Sequence, residues 1–284
     1  MKEEHILIRK CQDYINKGRA VIKAMTTDLS HLRYFVVFIG NPRSGTTIVR
    51  SLLDAHPNIV LGNEVNALEH LFCGEHIKCV MGRILNQSSR FALNPFWNGY
   101  AYHVPMASTG SSNVCMVIGD KKASRTTRLF MENISLLYLL QKRIPIPVRF
   151  IHCVRNPFDV ITTKTLRNGN SLEWNIQQYF RLEQTSADVL RSLKPEQFHR
   201  VYLEQLIENP SYVLQHLIEF LSLTADDDYL LACKSIVYDK PNHSRFAHPW
   251  SQENISEVEH LTLGYEHLSY YLDQGKLFFA KTNF

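Results

Sequence analysis

Short apolar runs alternate along this chain with longer stretches in which apolar residues recur every three or four positions. The first stretch carries Leu7, Cys11, Tyr14, Ile15, Ile22 and Met25 at helical spacing, which predicts an amphipathic helix in an amino-terminal extension, residues 1–30. Residues 34–39, Tyr-Phe-Val-Val-Phe-Ile, then form a continuous β-branched and aromatic run closed by Gly40, as expected of a strand buried on both faces of a parallel sheet. Similar runs lie at 58–61, 116–118, 148–154 and 199–203, with helical patterns at 47–53, 127–140, 157–166, 172–193 and 210–221. A further helical segment is expected over 252–284. Strands alternating with helices predict an α/β fold, a mainly parallel sheet covered by helices on both faces in a three-layer, P-loop-like sandwich. No repeat or Pro/Gly linker divides the chain, so residues 1–284 are read as one domain.

Composition narrows the class of function. With 284 residues, 45% of them hydrophobic, the chain can bury a large core. Its 31 basic and 27 acidic residues leave a formal charge of +4; spread along the sequence, they speak against a nucleic-acid partner and allow a small anionic ligand. The charged start Met-Lys-Glu-Glu-His precedes no apolar run, and no stretch approaches the roughly 20 residues of a membrane helix. Together with six scattered cysteines, this predicts a soluble cytoplasmic protein in a reducing compartment.

Candidate chemistry begins after the first strand. Residues 38–50, Phe-Ile-Gly-Asn-Pro-Arg-Ser-Gly-Thr-Thr-Ile-Val-Arg, place a Gly-containing turn between strand and helix, where backbone N–H groups and the helix dipole favour an anion. Gly45 permits close approach of the backbone, Ser44, Thr46 and Thr47 add hydroxyls, and Arg43 adds a cationic fork. The glycine spacing is that of the nucleotide-triphosphatase loop, but Thr46 stands where its lysine would be. The strand ending at Val154 delivers Arg155 rather than a magnesium-binding aspartate, which disfavours ordinary ATP hydrolysis and kinase chemistry.

The segment Pro42-Arg-Ser-Gly-Thr-Thr47 resembles the 5′-phosphosulfate loop of sulfotransferases that use 3′-phosphoadenosine-5′-phosphosulfate (PAPS), in particular the carbohydrate and tyrosylprotein type. Three further stations follow in family order. Residues 148–167 resemble the 3′-phosphate motif, with Arg155 at the strand end, Pro157 opening a helix, and Thr163 and Arg167 as its hydroxyl and second arginine. The neighbouring Thr162 leaves two candidate hydroxyls. Residues 201–221 are similar to the tyrosine-containing stretch of the family, with Leu203 in place of the tyrosine, and residues 240–250 are similar to a late loop carrying Ser244 and Arg245. The resemblance implies PAPS as co-substrate, no catalytic metal, and a small-molecule, glycan or peptide acceptor with a hydroxyl, or less readily an amine, to receive the sulfonate.

Catalytic candidates lie at the carboxyl ends of predicted strands, where open α/β sheets bind ligands. Glu64 occupies the place of the family's glutamate base, and Lys121, with Lys122 beside it, stands where a cation would stabilise the sulfonate together with Arg43. Asp120 is a second carboxylate there, and His56 and His103 are other candidate bases. His70, Cys73, His76 and Cys79 are all metal-ligand types, but steps of three residues rotate about −60° each around a helix and send the four apart. Residues 91–119 contain no Asp, Glu, Lys or Arg and include Phe96, Trp97, Tyr100, Tyr102 and His103; such a loop lines an acceptor pocket or packs over a sheet edge. The reading that competes with catalysis is a noncatalytic nucleotide- or phosphate-binding module, or an atypical P-loop kinase.

Overall fold

The computed structural model describes residues 2–105 and 114–273, with side chains described from residue 12 to 272 of these. Residues 106–113 and 274–284, and the side chains of Leu7 and Cys11, lie outside that description. The strands are β1 (Tyr34–Ile39), β2 (Ile59–Asn63), β3 (Phe96–Trp97), β4 (Tyr100–Ala101), β5 (Val117–Lys121), β6 (Val148–Val154) and β7 (Phe198–Tyr202). Five form one sheet in the order β2-β5-β1-β6-β7, every neighbouring pair parallel. β3 and β4 form a separate two-stranded hairpin.

The helices are α1 (Lys2–Thr26), α2 (Thr46–Asp54), α3 (Ala67–Phe72), α4 (Ile77–Leu93), α5 (Ala123–Glu132), α6 (Leu136–Arg143), α7 (Pro157–Asn168) and α8 (Leu172–Arg191). After β7 come α9 (Leu203–Glu208), α10 (Pro210–Phe220), α11 (Asp227–Lys234), α12 (Gln252–Thr262) and α13 (Ser269–Asp273). The period of two in β1 divides its side chains between two cores. Phe35, Val37 and Ile39 pack with Ile118 and Phe150 beneath α4, α5 and α6. Val36 and Phe38 pack with Leu61, Ile151 and Val201 beneath α2 and α10. Burial on both faces explains why β1 is an unbroken apolar run, and the α/β sandwich expected from the sequence is the fold observed.

Local chemistry accounts for the differences. The expected helix 127–140 is two helices, because Asn133 turns to an extended backbone after α5 and its side chain accepts from the Ser135 N–H. The segment 91–119 is not one loop: it holds the end of α4, the β3–β4 hairpin and most of β5. Beyond α7, a third cluster joins Phe158 and Ile161 to Ile176 of α8, Val258 of α12 and Tyr271 of α13. All five strands of the main sheet end at one edge, where the candidate residues gather. No helix among the described residues is long and apolar enough to cross a membrane.

Candidate active site

The turn from β1 to α2 forms a cradle. Gly40, Arg43 and Gly45 have φ of 115°, 72° and 80°, so the backbone passes three times through the left-handed region. Only glycine does so without cost, and a non-Gly residue held there is commonly part of a functional site. A Cβ at Gly45 would also come within 2.6 Å of Leu203. Two contacts hold the start of the turn. Thr127 Oγ1 accepts from the Gly40 N–H at 2.9 Å, and Asn41 Nδ2 donates to the buried Glu183 carboxylate at 2.8 Å. Asn41 and Glu183 carry no motif signal.

Glu64 lies one residue past β2, also with positive φ (64°). Pairing of Asn63 with Lys121 across β2 and β5 sets the next residues side by side, and the Glu64 N–H donates to the Lys121 carbonyl at 3.0 Å. Lys121 Nζ is 2.5 Å from Glu64 Oε1, and Lys122 Nζ pairs with Oε2. Burial pushes the Glu64 carboxyl up, but Lys121, by charge and hydrogen bond, and Lys122 outweigh it and hold the group below its ordinary value. Lys121 is 2% exposed, and burial makes it less basic than an ordinary lysine despite Glu64 and Asp120.

Arg155 leaves the end of β6 and donates to the carbonyls of Arg43 (3.3 Å) and Asn242 (2.6 Å) and to Ser244 Oγ (3.1 Å). Asn156 caps α7, accepting from the Phe158 and Asp159 N–H groups, with Pro157 in the first turn. Burial lowers the basicity of Arg43, and Arg167 and Arg155 lower it further by like charge; three arginines therefore concentrate positive charge at one edge. Of the two threonines, Thr163 lines the cavity, whereas Thr162 is buried and accepts from the Trp250 indole N–H at 3.1 Å. Arg245 is turned away: its Nε and Nη2 donate to buried Asp159 at 3.1 and 2.8 Å, and it braces the late loop against α7.

These groups converge on a cavity of about 510 Å³. Arg43, Gly45, Thr46, Thr47, Glu64 and Lys121 line it together with Arg155, Thr163 and Ser244. Ser44 is buried and Arg167 exposed; neither belongs to the lining. Trp97, Tyr100 and Tyr102 from the hairpin and Tyr238 after α11 form an aromatic wall, with Tyr100 and Tyr238 edge to face at 6.1 Å. Tyr238, Lys240 and Glu204 were missed from sequence. Tyr238 and Lys240 reach the site only through packing of the late loop. Glu204 sits next to Leu203, and its carboxylate accepts from the Asn156 N–H and the Tyr271 hydroxyl.

The other constellations serve structure. Gly74 (φ 93°) ends the short α3. His70 and Cys79 both engage Glu75, His76 caps α4 by accepting from the Lys78 N–H, and Cys73 is exposed. Asp120 accepts from the Val65 and Ala67 N–H groups at the start of α3, and burial pushes its carboxyl up. His56 is held in the core by the Thr224 carbonyl, and His103 is exposed outside the cavity.

Fold and site together define an α/β protein of P-loop-like architecture whose pocket brings Arg43 and Arg155 together with a lysine-clamped glutamate. The model of the sulfotransferase family matches residues 36–227, and the chain belongs to that family. It is 27% identical over 212 residues to protein-tyrosine sulfotransferase A of Caenorhabditis elegans, an alignment that covers 68% of this chain and 51% of that protein. The chain thus spans about half the length of that relative. It is 45% identical over 51 residues to protein-tyrosine sulfotransferase 1 of Rattus norvegicus, 18% of this chain and 14% of the relative. Among solved structures it resembles the sulfotransferase domain of the Synechococcus PCC 7002 olefin synthase, with a TM-score of 0.51, 17% identity, and coverage of 83% of this chain and 96% of that one. This likeness concerns the fold.

Proposed function

We propose that the chain transfers a sulfonate from PAPS to the hydroxyl of a small-molecule, glycan or peptide acceptor, with Glu64 as general base. The observation that carries the reading is Glu64 itself. It is held on a left-handed backbone at the sheet edge, ionised by two lysines, in one cavity with the phosphate loop. A protein that only binds nucleotide has no use for that arrangement.

The residues present suit a nucleotide with phosphates at both ends. The loop amides, Thr46 and Thr47 receive the 5′ end, and Arg155, Thr163 and Ser244, with Arg167 at the rim, the 3′-phosphate. Bound there, PAPS supplies a sulfonate on a phosphate leaving group. Glu64 then takes the acceptor proton as the acceptor oxygen bonds to sulfur. Lys121 is released from Glu64 as that carboxylate is neutralised, and with Arg43 it bears the charge developing on the sulfonate and the departing phosphate. The aromatic wall offers stacking surface to the acceptor, which suits a phenol, a sugar ring or a tyrosyl side chain. The local 45% identity to a tyrosylprotein sulfotransferase supports membership of the carbohydrate and tyrosylprotein branch. On this reading residues 1–284 are one sulfotransferase domain, with α1 and the segment from 252 as additions.

Incubation with isotopically labelled PAPS and a panel of phenols, glycans and tyrosyl peptides tests the proposal. Label recovered on an acceptor supports it. Tight nucleotide binding with no transfer to any member identifies a binding module instead.

A further inference from the structure

Helix α1 presents its apolar residues to solvent. Tyr14, Ile15, Val21, Ile22 and Met25 are 76%, 54%, 40%, 63% and 80% exposed, and at 100° per residue all lie within about 60° of the direction of Gly18. A Cβ placed on Gly18 would meet no other part of the protein within 4 Å. The opposite face docks on α4. Ala20 is fully buried there, and a Cβ on Gly82 would fall 1.8 Å from the Ala20 carbonyl oxygen, so the two backbones are in direct contact. Asp13 pairs with Arg83 of α4 at 3.1 Å on the same side. These contacts set the rotation of α1, and they turn the apolar stripe directly outward.

The charges beside the stripe identify its partner. Lys17 and Arg19, both exposed, sit about 100° to either side of the stripe's centre, where long basic side chains reach from an apolar face to lipid headgroups. A second copy of α1 laid on the stripe, parallel or antiparallel, would set Lys17 and Arg19 against the same basic residues of its partner. An anionic surface matches them. We infer that α1 is an interfacial helix that lies on an anionic lipid bilayer, with Tyr14, Ile15, Val21, Ile22 and Met25 inserted among the acyl chains and Lys17 and Arg19 at the headgroups.

The test is co-sedimentation of the full chain with phosphatidylcholine vesicles with and without phosphatidylserine, beside sedimentation equilibrium without lipid. Binding is expected to the phosphatidylserine vesicles, to fall by roughly tenfold or more in Ile15→Glu/Ile22→Glu, and to weaken with added salt in the wild type. Lys17→Glu/Arg19→Glu, which leaves the stripe intact, is also expected to weaken it. All these side chains are exposed, so an unchanged melting temperature verifies that the variants are folded. Self-association that disappears in Ile15→Glu/Ile22→Glu, without vesicle binding, assigns the stripe to a second copy and overturns the inference. Absence of vesicle binding by the wild type, or binding indifferent to both double variants, overturns it as well.

Discussion

Lys121 Nζ lies 2.5 Å from Glu64 Oε1, and the pair joins the carboxyl ends of neighbouring strands β2 and β5. One hydrogen bond thus ties the proposed base to the proposed cation. Glu64→Gln keeps the shape of the site but removes the proton acceptor. Turnover is expected to fall by ~10²–10⁴-fold, with the affinity for 3′-phosphoadenosine 5′-phosphate, measured calorimetrically, within a few fold of wild type. Near-normal turnover at saturating substrates would show that Glu64 is not the base.

The same pair sets a pH dependence. In the proposed role Glu64 must be ionised, and Lys121 and Lys122 lower its pKa, so the ionised form persists as pH falls below the ordinary carboxylate range. The acid limb of kcat/KM is expected there, provided the protein remains folded. An acid limb near pH ~6.5, the ordinary histidine value, that survives replacement of the exposed and core histidines in turn would leave Glu64 without this role.

The two lysines are expected to differ. Lys121 is buried on the strand end, whereas Lys122 is 29% exposed at the start of α5. Lys121→Ala is expected to cost ~10²–10³-fold in kcat, the scale of losing a preorganised charge donor. Lys122→Ala removes a partly exposed ion pair and leaves Lys121 on Glu64, so its effect is expected to stay within about tenfold. Steady-state kinetics on both variants decide, and equal effects would contradict the assignment to Lys121.

Arg155 and Arg245 are expected to divide differently between binding and stability. Arg155→Ala removes charge-assisted hydrogen bonds, worth about 1.5–3 kcal/mol, and is expected to weaken nucleotide binding by ~10–100-fold; because its bonds to Arg43, Asn242 and Ser244 are lost as well, the melting temperature is expected to fall, but by less than in Arg245→Ala. Arg245→Ala strands Asp159 as a buried charge, at about 3–5 kcal/mol, and is expected to lower the melting temperature markedly. Unchanged nucleotide affinity in Arg155→Ala would remove Arg155 from the 3′-phosphate site.

His152 is fully buried, and burial lowers its pKa to about 3. The unfolded chain binds this proton near pH ~6.5, so the stability from neutral His152 is present above that pH and is lost as pH falls toward 3. His199, lowered by burial to about 4, acts in the same direction. The melting temperature is expected to drop as pH falls through that window, and less steeply in His152→Asn. An equally steep drop in the variant would mean that other groups dominate.

What was legible in the sequence was local. β6 matches its apolar run residue for residue, because it is buried on both faces and closed by Arg155-Asn156-Pro157. The turn between β1 and α2 was readable because its glycines, Arg43 and hydroxyl residues are contiguous. Helix α4 was not, since Asn86, Gln87, Ser88 and Ser89 interrupt its apolar spacing while Ser88 bonds to Asp54. Tyr238 and Lys240 depend on how the late loop packs, and Asn41 and Glu183 meet across 142 residues. Arg245 shows the limit of motif reading: residue type and position suited an anion, but the nearer charge was Asp159.

Sulfonate transfer at this site with Glu64 as the base remains the proposal to be tested. Its most direct measurement is a single-turnover assay with labelled PAPS and a competent acceptor, run on wild type and Glu64→Gln with both enzymes saturated in nucleotide. Acceptor-dependent release of 3′-phosphoadenosine 5′-phosphate matched by label on the acceptor, lost in Glu64→Gln while nucleotide stays bound, is the predicted result. Nucleotide binding without transfer by the wild type, or transfer at equal rates by both proteins, would contradict it.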